Sequence, residues 1–158
     1  MHKKMFEVSF AEPSDAAAIL EITKESFEEY RKSVGVDTLD ALTETVEDVE
    51  RAIKEQLVLV AHIEEQVVGS LRLKLLDSET AYLSRFGVKL SCQNLGIGKS
   101  LVNMADALLQ NRGIKRVELH TGAKVTGLIR FYYGRGFYID STTKDRGYIR
   151  ALLRKDYK

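Results

Sequence analysis

Gln93-Asn94-Leu95-Gly96-Ile97-Gly98-Lys99-Ser100 is the stretch on which the reading of this chain turns. Upstream, residues 80–88 have the composition of a strand. Downstream, residues 95–111 turn helical, with Ile97, Leu101, Met104, Ala105 and Leu108 on one face and Gly113 just past the end. A helix start leaves backbone N–H groups unpaired and carries partial positive charge, so a glycine-bearing turn there can wrap an anion. Gly96 and Gly98 let a phosphate approach the backbone closely. The spacing is not that of a P-loop, because one residue rather than four separates the two glycines. Nor is it the dinucleotide fingerprint, whose third glycine is missing. Taken alone, the stretch fits a plain helix start as well as an anion site.

Working outward, Phe6, Val8 and Phe10 alternate with polar residues, so 6–10 reads as a strand. Pro13 and Asp15 open a helix that carries Ile19, Leu20, Thr23, Phe27 and Tyr30 at helical spacing. Residues 31–43 read as a loop. Thr45 with Asp48 caps a second helix over 46–55. Strands follow at 57–63, 67–75 and 80–88, and Arg72 and Lys74 alternate with leucines as if one face were wet. After the helix at 95–111 come a strand at 116–121, a short helix at 126–133, and a hairpin of 137–142 with 148–153. The expected fold is therefore mixed α/β in the order β-α-α-β-β-β-α-β-α-β-β. It is a mostly antiparallel sheet of about seven strands with helices on both faces, and the unit over 80–121 is parallel. A single domain spans 1–158.

A second feature lies at Phe131-Tyr132-Tyr133-Gly134-Arg135-Gly136-Phe137. A tyrosine hydroxyl there can give a proton to a basic leaving group such as a thiolate, or the aromatics can simply pack. The two features together resemble the GNAT superfamily of N-acetyltransferases: a strand ending at Val88, then Q-x-x-G-x-G, then a further strand, then Y-x-x-x-G-F. The element order agrees over almost the whole chain.

The resemblance implies acetyl-CoA as cosubstrate, no metal, and an amine acceptor attacked directly without an acyl-enzyme. By position, Gln93, Asn94, Leu95, Gly96, Ile97, Gly98, Lys99 and Ser100 would bind the pyrophosphate of coenzyme A. Val88 would belong to the splayed strand that pairs with the pantetheine arm. Tyr132 would protonate the departing thiolate, and Arg135 would reach the adenosine phosphates. Two departures stand out. Val125 occupies a position where many members have asparagine, and residues 80–88 contain no acid to serve as general base. Candidate bases are Glu79, Glu118, His120 and Glu44; of these, histidine titrates nearest neutrality. Two other readings stay open: a coenzyme-binding module without turnover, and a binder of nucleotide phosphates.

Composition is that of a soluble globular protein rather than a disordered or fibrous one. Hydrophobic residues make 44% and charged residues 30%, and the net charge of +1 argues against a dedicated nucleic-acid binder. One cysteine, Cys92, excludes an intrachain disulfide and a Cys-based zinc cluster. No run is apolar enough for a membrane span, and the start of the chain has no apolar stretch after its basic residues, so a cytoplasmic location is expected. The charge is unevenly placed. Residues 1–65 carry 7 basic and 16 acidic side chains, and residues 66–158 carry 17 and 7. The basic part suits a polyanionic coenzyme, and the acidic part would attract a cationic amine. A free edge on the C-terminal hairpin would allow a homodimer.

Overall fold

The computed structural model describes residues 5–158; residues 1–4, with His2 and the basic start, lie outside them. Seven strands form one sheet: β1 (Glu7–Phe10), β2 (Leu57–Ile63), β3 (Gln66–Leu75), β4 (Thr80–Val88), β5 (Arg116–Gly122), β6 (Tyr138–Thr143) and β7 (Arg150–Asp156). Their order is β1-β2-β3-β4-β5-β7-β6. Only β4 and β5 run parallel among neighbouring pairs. The helices are α1 (Ala16–Val34), α2 (Val46–Glu55), α3 (Ile97–Asn111) and α4 (Thr126–Gly134).

Strand alternation sorts side chains into two cores. Leu71, Leu73, Leu83, Leu119 and Leu153 meet Ile97, Leu101 and Leu109 of α3 on one face. Val58, Val60 and Val67 meet Ile19, Ile22 and Val49 of α1 and α2 on the other. Full burial of each such aliphatic side chain contributes about 1.5–3 kcal/mol. The N-terminus of α2 is closed by reciprocal bonds: Asp48 N–H donates to Thr45 Oγ1 (3.1 Å), and Thr45 N–H donates to the Asp48 carboxylate (2.9 Å).

Three expectations need revision. Part of the segment read as a loop is helix: α1 runs to Val34, where Gly35 at φ 76° ends it, and 40–43 form a 3-10 turn. The expected wet face of β3 is wet at Lys74 but not at Arg72. Arg72 is only 5% exposed, because Glu44 covers it. The last strand starts two residues later than expected and runs on to Asp156, where Tyr138 donates to the Asp156 carboxylate (2.7 Å).

Candidate active site

The site begins with a fork in the sheet. Parallel pairing of β4 with β5 covers Thr80, Ala81 and Tyr82 against Arg116, Val117 and Glu118, and then stops. A bulge explains the separation. Between the Ser70 and Arg72 partners, β4 spends three steps (Ser84 to Gly87) where β3 spends two, and Arg85 takes φ 51°. The bulge also reverses which main-chain groups face β3. Leu76 N–H donates to the Thr80 carbonyl, so 80, 82 and 84 turn toward β3. Lys89 N–H donates to the Val68 carbonyl, so beyond the bulge 87 and 89 do so. The main-chain groups of Phe86 and Val88 are thereby left on the open side of the fork.

Above the fork lies the glycine turn. Asn94 (φ 68°) and Gly96 (φ 84°) are left-handed, an alternation that gathers successive N–H groups into a concave nest. The first intrahelical bond of α3 runs from Ser100 N–H to the Gly96 carbonyl, and Gln93 N–H donates to the Leu90 carbonyl (3.5 Å), so the helix-start amides of Ile97, Gly98 and Lys99 have no intrahelical partner. At Gly98 a Cβ would sit 3.0 Å from Cζ of Phe86, so glycine keeps this approach open. A second tether sets the turn: Leu90 N–H donates to the Glu25 carboxylate (2.8 Å), joining α1 to the end of β4.

Between fork, α1 and α4 lies a cleft of about 570 Å³, lined by Phe86, Gln93, Tyr82, His120, Tyr132 and others. Tyr132 is 5% exposed and packs edge-on against Phe131 and Phe137. Burial, and then the neighbouring Tyr82, push its phenol above the usual range, so it keeps its proton at neutral pH. His120 Nδ1 lies 2.6 Å from the Tyr82 hydroxyl, across the point where the strands part. Burial lowers the His120 pKa, and Arg150 and Arg146 lower it further against the opposing pull of Asp145 and Glu118. The imidazole is therefore neutral at pH 7. Ser26 Oγ, also on the cleft wall, is buried without a partner.

The other candidates fall elsewhere. Glu44 is 8% exposed and its two oxygens meet Arg72 Nη1 and Nη2 (2.7 and 2.6 Å) and Arg85 Nε (3.4 Å). Its carboxylate is committed to two guanidiniums and does not line the cleft. Glu79 precedes β4, at the end remote from the fork, exposed and 4.0 Å from Arg116. Glu118 is held by Arg154 (3.0 and 2.6 Å). Arg135 caps α4, and its carbonyl accepts from Lys155 Nζ (2.6 Å). That same Nζ binds Asp106 on α3 (2.6 Å), about 13 Å along the helix from its start. The backbone of Arg135 thus lies well back from the glycine turn. Val88 is half-buried at the end of β4. Cys92 is a half-buried free thiol against the main core. The sequence reading missed Tyr82 and Arg150 in the cleft; Tyr82 sits one strand over from His120, a juxtaposition created only by the parallel pairing.

Among the described residues, no group of three or more His, Cys, Asp or Glu is placed to hold a metal, and no helix is long and apolar enough to cross a membrane. The fork, the glycine turn and the cleft meet at Phe86, Gly87 and Gln93. The sequence profile of the Acetyltransferase (GNAT) family matches residues 17–137. The chain belongs to that family. Solved structures repeat the fold. The PaiA N-acetyltransferase of Thermoplasma acidophilum, in complex with coenzyme A, is 21% identical with a TM-score of 0.84, covering 97% of this chain and 99% of its own. YncA of Salmonella typhimurium, a putative acetyltransferase with its cofactor acetyl-CoA, is 16% identical with a TM-score of 0.78 over 98% of this chain and 95% of its own. The ribosomal-protein-S18-alanine N-acetyltransferase of Escherichia coli is 16% identical with a TM-score of 0.77 over 96% and 94%. No curated protein sequence matches this one.

Proposed function

We propose that this chain is an N-acetyltransferase that moves the acetyl group of acetyl-CoA to a primary amine of a small molecule or peptide by direct attack. The observation that carries the reading is the fork: one strand edge with unpaired main-chain groups leads from an anion nest to a cleft holding a protonated phenol and a neutral imidazole. When bound, acetyl-CoA would supply the activated acyl group. Amides lying between Gln93 and Ser100 would hold the pyrophosphate, the amides of those two residues being bonded to the Leu90 and Gly96 carbonyls, with Lys99 adding charge at an exposed position. The main chain at Phe86 and Val88 would pair with the pantetheine arm. Tyr132 would donate its proton to the departing thiolate. Burial raises the phenol, and the same desolvation raises the thiolate's basicity, so donor and acceptor stay matched. His120 would take the amine proton at Nε2, in the tautomer whose Nδ1–H donates to Tyr82. The site would then contribute alignment and proton handling.

Amine-dependent thiol release from acetyl-CoA tests this directly, with Tyr132→Phe as the diagnostic variant. A drop in kcat of roughly 100-fold with near-normal coenzyme affinity is expected. Coenzyme binding without release for any amine would instead favour a non-catalytic module.

A further inference from the structure

Resting on the acetyltransferase reading, we infer that the acceptor is a small primary amine that also carries a compact anion, carboxylate or phosphate, a few bonds from its nitrogen, and that Arg150 receives that anion. Arg150 opens β7 opposite Gly122 and lines the cleft. His120 is paired with Leu152, so Arg150 and His120 project from the same face of the sheet, about 7 Å apart along the strand direction. The Arg150 residue is only 8% exposed. Its sole ion pair among the described residues uses Nη1, to both oxygens of Asp145 (3.1 and 3.3 Å). Asp145 itself is 59% exposed on the β6–β7 loop. A buried guanidinium with five donors is thus met by one solvated carboxylate at Nη1 and by the neighbouring Tyr82 hydroxyl, with no bidentate anion across its fork. A carboxylate or phosphate in the cleft supplies the bidentate partner.

The other charges in the cleft agree with a zwitterion rather than a polycation. Arg85 is taken by Glu44, and Arg146 faces Asp40 at 3.6 Å. Glu29, exposed on α1 at the cleft wall, offers the one carboxylate positioned for an incoming ammonium group without an ion pair among the described residues.

The test measures acetyl-CoA-dependent thiol release with a panel of L-amino acids, the matching L-amino acid amides, phosphoethanolamine and linear diamines. Anion-bearing acceptors are expected to exceed amides and diamines by roughly 10-fold or more in kcat/KM. Their ranking distinguishes carboxylate from phosphate. Arg150→Gln should remove most of that preference, mainly through KM, while rates with amides fall far less; Arg150→Lys should recover part of it. Preference for amides or diamines by the unaltered protein overturns the inference and leaves the acetyltransferase reading standing. An equal loss for charged and uncharged acceptors in Arg150→Gln overturns it too. If no amine is turned over, the acetyltransferase reading fails. Calorimetry of the same panel on the coenzyme-loaded protein then decides: selective binding of the anionic members, lost in Arg150→Gln, supports the anion site, and indifference overturns it. Should Arg150→Gln not fold, the comparison of acceptors on the unaltered protein decides alone.

Discussion

Residues first: the proposed chemistry rests on two groups whose burial bears on their protonation. Tyr132 stays a phenol because its anion would be desolvated. His120 stays neutral because its cation would be desolvated and would face Arg150 and Arg146. The direction of this shift has a consequence for pH dependence. If His120 takes the amine proton, activity requires its neutral form, so the acidic limb of the kcat/KM profile should lie below the ordinary histidine pKa. Removing a neighbouring cation relieves part of the shift. Arg146→Gln, at an exposed loop position, should move that limb to higher pH; a limb that stays in place would exclude His120 as the titrating base. Glu44 invites the opposite expectation. Glu44→Gln strips the anion from between two guanidiniums, and Arg72 is buried with its Nε already unpartnered. A destabilisation of about 3–5 kcal/mol is expected in urea unfolding. A catalytic base would instead show unchanged stability and abolished turnover.

At the level of elements, the bulge in β4 and the turn before α3 do the positioning. Gly98→Ala would place a methyl 3.0 Å from Phe86, which stacks on Phe131 at 5.6 Å between ring centroids. Coenzyme affinity, followed by calorimetry, should fall roughly 10-fold, while the far-ultraviolet circular dichroism stays unchanged. Much of this scale was legible in the sequence. An apolar run, a turn and a cap placed β2, β4 and α2 at their observed bounds, because β2 is buried almost throughout, β4 follows the Asp77–Ser78 turn, and Thr45 with Asp48 closes the start of α2. The bulge was not legible. Arg85 is not a glycine, and its positive φ arises from a mismatch with β3 that no local pattern records. The buried state of Arg72 was invisible for a related reason: its cover, Glu44, lies 28 residues away in sequence. The last turn of α1 lacks apolar periodicity, yet Arg31 and Lys32 ahead of Gly35 are the signature of a helix end. That signal was present and outweighed by the missing stripe.

Across the whole molecule, the division of charge between the two parts of the chain acquires a structural meaning different from simple attraction of a cation. Many acids of the first part are spent internally: Glu44 on Arg72 and Arg85, Glu28 on Arg31, Glu25 on the Leu90 amide. Glu29 and Asp40 reach the cleft, and so do three arginines. The basic part, by contrast, supplies the glycine turn and its lysine. Ligand-induced stabilisation should follow this layout. Acetyl-CoA or coenzyme A at about 100 times its Kd should stabilise the fold by about 2.7 kcal/mol, raising Tm by roughly 5–10 °C. ATP and NAD, which lack the pantetheine arm, should shift it far less. A larger shift with either would indicate a nucleotide-phosphate binder on the same turn. The family and the fold were both readable from the pairing of the glycine turn with Tyr132. The proposed acceptor end was legible only at His120, since Arg150 and Glu29 join it only when β5, β7 and α1 converge on the cleft. The most direct measurement follows isotopically labelled acetyl-CoA by mass spectrometry, on the protein alone and then with an amine added. Direct transfer predicts an unmodified protein mass before and after, and one labelled acetyl group on the amine for each thiol released. Label retained on the protein, or thiol release without acetylated amine, would contradict it.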